Sequence, residues 1–148
     1  MTGKAYVLRI TNGRVVLFDK VRDDVDLLIA AGKIKKLISR SEPSTHKKEI
    51  DAAGRYISPG FIDIHVHGGG GTGIEADRPE DMGEMLRFHA KGGTTGIVPT
   101  LRPDNPREMK HSIDNILLWI DRRQNGSAVL GIHAEGPYLN HNEVGGTD

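Results

Sequence analysis

The 148-residue sequence contains no cysteine. That excludes a disulfide scaffold, a thiolate metal site and a Cys/His nucleophile pair. Any metal held by these side chains must be held by His, Asp or Glu. Neither sign of charge is in excess, because 20 Lys+Arg balance 20 Asp+Glu. Such a composition carries no electrostatic footprint for nucleic acid and no polybasic membrane anchor. Long apolar runs are missing too. Stretches such as residues 27–31 fall far short of the roughly 20 residues of a membrane helix. The N-terminus has no apolar segment of about 7–15 residues, so no signal peptide is expected, and the expected location is cytoplasmic. The length suits one ordinary domain and lies well under the roughly 250 residues of a closed eight-stranded βα barrel. Glycine is the abundant residue. Its 19 copies are nearly twice the usual share of about 7%, and they cluster.

The first third reads as short strands. Residues 6–10 are apolar and β-branched, and Thr11-Asn12-Gly13 has the composition of a tight turn leading into a second strand over 15–18. Residues 25–30 and 34–38 flank a turn around Ala31-Gly32 in a hairpin pattern. A polar loop is expected over 40–48, and 50–56 carries a further turn at Ala53-Gly54. After Pro59 the pattern changes. A strand over 61–67 ends in the Gly68 to Gly71 run. A helix over 80–91 aligns Met82, Met85, Leu86 and His89, and Gly92-Gly93 stops it. A strand over 94–101 follows. The next helix aligns Met109, Ile113, Ile116, Leu117 and Ile120; Asp104 or Asn105 can cap it, and Asn125-Gly126 is expected to end it. Trp119 lies round that helix from its apolar face and is expected to meet a neighbour outside it or a partner. A third strand spans 128–133. The positions Ile64, Val98 and Ile132 recur about every 34 residues, the length of a βα unit, so a parallel sheet is expected.

Within that frame His65-Val66-His67 is the sharpest feature. Strand alternation puts both imidazoles on one face, about 7 Å apart along the backbone. They sit at the strand's C-terminal end, where active sites gather in parallel βα architectures, and two neutral imidazoles there suit Zn²⁺ or a similar ion. Asp63 shares the face and can orient a ligand. His133 and Glu135 end the third strand in the same way, and a carboxylate facing imidazoles is a metal-ligand set of hard and borderline donors. Taken singly, the histidine pair also reads as ordinary surface or core-edge histidines, and Glu135 as a turn cap or an arginine partner. The glycine run has neither a Walker lysine nor GxGxxG spacing, so it is read as a sharp turn rather than a phosphate cradle. His89 is read as packed, His46 and His111 as solvated, and His141 stays ambiguous.

These residues resemble a family. Ser58-Pro59-Gly60-Phe61-Ile62-Asp63-Ile64-His65-Val66-His67-Gly68 is similar to the first barrel strand of the amidohydrolase superfamily. Gly93-Thr94-Thr95-Gly96-Ile97-Val98-Pro99-Thr100 and the H-x-E-G-P stretch from His133 through Pro137 resemble the N-acetylglucosamine-6-phosphate deacetylase family. The resemblance implies an α/β fold: residues 1–57 as the N-terminal part of a small β-sandwich, then 58–148 as the first three βα units of an incomplete TIM-like (β/α)8 barrel. It implies that Glu135 binds a catalytic metal and that His65 and His67 supply a second site, with one or two divalent ions, Zn²⁺ first and Fe²⁺, Mn²⁺ or Co²⁺ as alternatives. Asp63 and His133 would support them. Gly146 and Thr147 match the substrate-contacting region, although 144–147 departs from the family's usual K-G-A/T-H. The implied reaction is metal-assisted removal of acetyl from an amino-sugar phosphate. Its catalytic aspartate and two further histidine ligands are expected beyond Asp148, so the chain is expected to be an N-terminal fragment inactive alone. The expected partners are a small-molecule substrate and a second copy in the full-length homodimer, with no nucleic acid and no membrane. Two other readings stand beside this one: a dihydroorotase- or hydantoinase-like amidohydrolase, and a non-catalytic module that assembles with a complementary chain.

Overall fold

A computed structural model describes residues 7–43, 48–76, 78, 80–102, 104–122, 125–136, 138, 140 and 142. The fold is mixed α/β, and the chain divides into two compact units, Met1–Pro59 and Gly60–Asp148.

The described residues of the first unit form seven strands: β1 (Val7–Thr11), β2 (Arg14–Val16), β3 (Val21–Arg22), β4 (Val25–Ala30), β5 (Lys33–Ser39), β6 (Lys48–Asp51) and β7 (Tyr56–Ile57). They form a four-stranded sheet in the order β5-β4-β1-β6 and a three-stranded sheet in the order β3-β2-β7. The expected hairpin of β4 and β5 is present. Ala31 and Gly32 adopt φ of 50° and 71°, the left-handed pair that a two-residue hairpin turn requires. The turn at Asn12 has a different outcome. It joins strands of different sheets, because β1 pairs with β4 and β6 while β2 pairs with β3 and β7. The turn at Ala53-Gly54 makes the same switch alongside it, and the two corners are tied by Gly54 N–H donating to the Asn12 carbonyl at 2.7 Å. Local turn chemistry reverses the chain direction; it does not choose the strand's partner.

Val15, Val25 and Leu27 form a buried cluster in this unit, with Ile10, Leu17, Leu37 and Ile57 packed against them, and Ala30 and Ile38 are buried as well. Several of these residues line an apolar pocket of about 500 Å³. A core this small is supplemented by an ion pair. Asp26 is fully buried and accepts from Arg9 Nε at 2.8 Å. Arg9 in turn donates to the carbonyls of Glu42 and Arg40, so one guanidinium pins the end of the β5 hairpin to β1.

In the second unit β8 (Phe61–Val66) is followed by a small hairpin, β9 (Gly68–Gly69) and β10 (Thr72–Gly73). Then come α1 (Asp81–Lys91), β11 (Thr94–Leu101), α2 (Pro106–Leu117), β12 (Ala128–Val129) and β13 (His133–Ala134). As the βα spacing predicts, β8, β12 and β13 all pair parallel with β11. The third strand, expected as one run, is two short ladders separated at 130–132. The glycine run forms a hairpin rather than a simple stop.

The core of this unit joins the sheet to both helices through Val66, Ile97, Leu101, Met82, Met85, Leu86, Ile116 and Trp119. The α1 stripe packs as its periodicity predicts. The α2 stripe packs in part, with Ile116 buried and Ile113 and Ile120 against the core. Ser112, Asn115 and Ile116 face inward, while Leu117 is exposed. Asn115 donates from Nδ2 to the carbonyls of Ile74 and Ala76, so a polar side chain shares the buried face with the isoleucines. The helix also ends at Leu117, eight residues before Asn125-Gly126. Trp119 then folds back into the same unit against Gly83, where a Cβ would lie 2.7 Å from its ring. It needs no neighbour from outside.

At the start of α2 the cap is Asn105, whose side chain accepts from the Arg107 and Glu108 amides. Asn105→Ala should therefore cost about 1 kcal/mol of unfolding free energy, read as a lower urea midpoint with unchanged slope. An unchanged midpoint would mean that the cap contributes nothing here.

Candidate metal centre

Strand alternation does what the sequence pattern predicts. His65 and His67 leave the same face at the end of β8, and Glu135 follows β13 by one residue. Because β8 and β13 flank β11, the sheet brings the three together. His65 Nε2 lies 3.2 Å and His67 Nε2 3.3 Å from the same Glu135 oxygen. One ligand atom from each of the three residues falls within 4.8 Å of the others. The His65 ring packs edge-on against both His67 and His133, with centroids 5.2 and 5.0 Å away.

The protonation logic follows from the surrounding bonds. His67 Nδ1 sits 2.9 Å from the Thr100 carbonyl oxygen, which can only accept, so Nδ1 carries the proton. In the neutral ring the Nε2 lone pair then faces the Glu135 carboxylate, and two acceptors at 3.3 Å repel unless a cation stands between them. Two imidazoles and one carboxylate, with one imidazole oriented by a backbone carbonyl, form a donor set that fits a divalent ion such as Zn²⁺. Glu135 is about one-third exposed and His67 slightly less, so the set is open to solvent on one side.

The other expected residues divide. Asp63 does not join the donor cluster; its carboxylate accepts the backbone N–H of His65 at 3.0 Å and so braces the strand. His133 approaches through Nδ1 to Thr100 Oγ1 at 3.1 Å and also stays outside the three-residue cluster. His89 is packed as expected, and it bonds the Gly68 carbonyl at 3.0 Å, clamping α1 onto the glycine hairpin. A Cβ at Gly69 would fall 2.6 Å from His89 Nε2, which accounts for a glycine there. His111 is exposed as expected. Gly146, Thr147, His46 and His141 lie outside the described residues.

Thr100 was not visible as a site residue. Its signal in the sequence is the proline before it: Pro99 has no N–H to give to the ladder, and a polar side chain next to that gap has a neighbour to satisfy.

A parallel βα sheet with an imidazole–carboxylate donor set at its strand ends defines an α/β protein able to hold a metal ion. Comparison with known proteins is narrower: the chain is similar to the N-terminal portion of N-acetylglucosamine-6-phosphate deacetylases. The Homo sapiens deacetylase is 30% identical over 148 residues, which is 95% of this chain and 35% of the relative. The crystal structure of the Pasteurella multocida deacetylase matches with a TM-score of 0.81 at 25% identity, over 93% of this chain and 36% of that one. A Clostridioides difficile dihydroorotase is 35% identical over a shorter stretch of 95 residues, 62% of this chain and 21% of the relative. No protein-family model matches the chain. The chain spans about a third of the length of the curated deacetylases it matches.

Proposed function

We propose that this chain is the N-terminal portion of a metal-dependent deacetylase that converts N-acetylglucosamine 6-phosphate to glucosamine 6-phosphate and acetate. Residues 1–57 are its part of a β-sandwich, and 58–148 begin a (β/α)8 barrel. Glu135, His65 and His67 hold one or two divalent ions, Zn²⁺ first. Asp63 and His133 support them, and Gly146 and Thr147 contact substrate. The whole enzyme works in the cytoplasm as a homodimer.

The observation that carries this reading is the meeting of three donor atoms within 4.8 Å in a chain similar to these deacetylases along 95% of its length. A bound divalent ion supplies Lewis acidity, activating a water and polarising the acetamide carbonyl. The residues of this chain do the rest of what falls to it. Glu135 presents the negative charge that fixes the ion's position. His67 presents a lone pair aimed by Thr100, and Asp63 holds the strand at His65. The acid/base carboxylate that would protonate the leaving amine is assigned beyond Asp148.

The test is acetate release from N-acetylglucosamine 6-phosphate by the protein purified from its source, with and without chelator. Metal-dependent acetate release is the expected result, and the 148-residue chain by itself should show none. Turnover of a cyclic amide such as dihydroorotate, with none of the acetylated sugar phosphate, would overturn the assignment in favour of the dihydroorotase-like reading. That reading draws on the shorter dihydroorotase match.

A further inference from the structure

We infer that Thr100 is the positioning residue of the metal centre, orienting His67 through its carbonyl while its hydroxyl holds the strand between the two histidines and engages His133. This rests on the metal-centre reading above. Thr100 is fully buried, so no water competes for its polar atoms.

The β8–β11 register slips between Ile97 and Pro99, where Val66 stands opposite Pro99. Pro99 cannot donate to a ladder, so regular pairing fails at this rung. Thr100 replaces it with two bonds of another kind. Its Oγ1 accepts the Val66 N–H at 3.0 Å, fixing the residue between His65 and His67. Its carbonyl accepts the His67 Nδ1 proton at 2.9 Å.

The hydroxyl has one proton and two neighbours for it. The Val98 carbonyl lies at 3.4 Å and His133 Nδ1 at 3.1 Å. If the proton goes to His133, that ring carries its own proton on Nε2. If it goes to Val98, His133 donates from Nδ1 instead. In both states the hydroxyl and His133 are bonded, so one buried residue sets the direction of imidazoles from both neighbouring strands. A ligand histidine oriented through its second nitrogen is held more tightly to its metal than a free one.

The experiment uses the 148-residue chain in two arms. In the first, metal-free arm, nitrogen NMR at about pH 8.5, roughly two units above the free imidazole pKa, reads the tautomer of each histidine, and amide exchange reads Val66. His67 should be the Nδ1–H tautomer. Thr100→Val should speed Val66 exchange and shift the His133 signals, and Thr100→Ser, which keeps the hydroxyl, should restore both. An Nε2–H tautomer at His67 in the unaltered chain overturns the inference without need of any variant, so a valine variant that failed to fold would not protect it.

In the second arm Co²⁺ is titrated spectroscopically. Thr100→Val keeps the carbonyl that orients His67 but removes the hydroxyl that fixes Val66 between the two histidines. Binding should therefore weaken by about 10-fold, at the low end of what changes in the outer shell cost, with Thr100→Ser close to the parent chain. Equal Co²⁺ affinity in parent and valine chains overturns the positioning role of the Thr100 hydroxyl and leaves the metal centre standing. No Co²⁺ binding by the parent, with the predicted tautomers intact, overturns the metal reading and leaves the orienting role of Thr100 standing.

Discussion

Glu135→Gln should weaken divalent-metal binding by at least about 100-fold, more than the loss of an outer-shell partner costs. The reason is charge and number together. Among the described residues the donor cluster holds one carboxylate and two imidazoles, and Glu135 is the one that reaches both rings, at 3.2 and 3.3 Å. Glutamine keeps the shape but replaces an anionic oxygen by a neutral amide, leaving two uncharged ligands for a divalent cation. Glu135 is also partly exposed, so the substitution leaves no buried charge and should not disturb folding. Calorimetric titration with Zn²⁺ or Co²⁺ and a thermal melt without metal separate the two effects: affinity should fall while the melt stays put. Equal affinity for metal would remove Glu135 from the donor set.

Asp26→Ala should destabilise the first unit by about 3–5 kcal/mol, the usual cost of stripping one partner from a buried ion pair. Asp26 is fully buried and the Arg9 side chain nearly so, with Nη2 2.6 Å from the carboxylate. Removing the carboxylate leaves the guanidinium in the interior with two carbonyls and no counter-ion. Replacing both partners by apolar residues, as in R9M/D26L, should recover only part of the loss, because Arg9 also holds the carbonyls of Arg40 and Glu42.

The same pair sets a pH dependence. Burial alone pushes the Asp26 carboxyl up. Hydrogen bonds from Arg9, Thr11 and Arg40 and the charge of Arg9 outweigh it and hold the group below its ordinary 3.8. A carboxyl depressed in the folded state contributes its full stability above the unfolded value and loses it as pH falls through the folded one. The parent chain should therefore lose its advantage over Asp26→Ala progressively below about pH 3.8, and hold it at neutral pH. Urea denaturation followed by far-ultraviolet circular dichroism at several pH values reads both results. An Asp26→Ala midpoint equal to the parent's at neutral pH would show that the pair contributes nothing.

What the sequence determined by itself was everything that period and local chemistry encode. The 34-residue recurrence of Ile64, Val98 and Ile132 carried the parallel pairing of β8, β11, β12 and β13. Alternation placed His65 with His67 and His133 with Glu135. The β4–β5 turn followed from Ala31-Gly32, whose left-handed pair leaves few other structures open. Properties that depend on the identity of a distant neighbour were decided only in three dimensions. Thr11-Asn12-Gly13 specified a turn, but strand partnership depends on which sheet buries the flanking side chains, so β1 and β2 parted. Apolar spacing pointed Leu117 of α2 inward, yet it is exposed, while the buried face also carries Asn115, which reaches the Ile74 and Ala76 carbonyls. Thr100 looked like any β-branched strand residue, because its work is to satisfy Val66, His67 and His133, each more than thirty residues away in the chain. Periodicity is a property of one segment and can be read along the chain; the satisfaction of a buried polar atom is a property of several segments and exists only once they have packed.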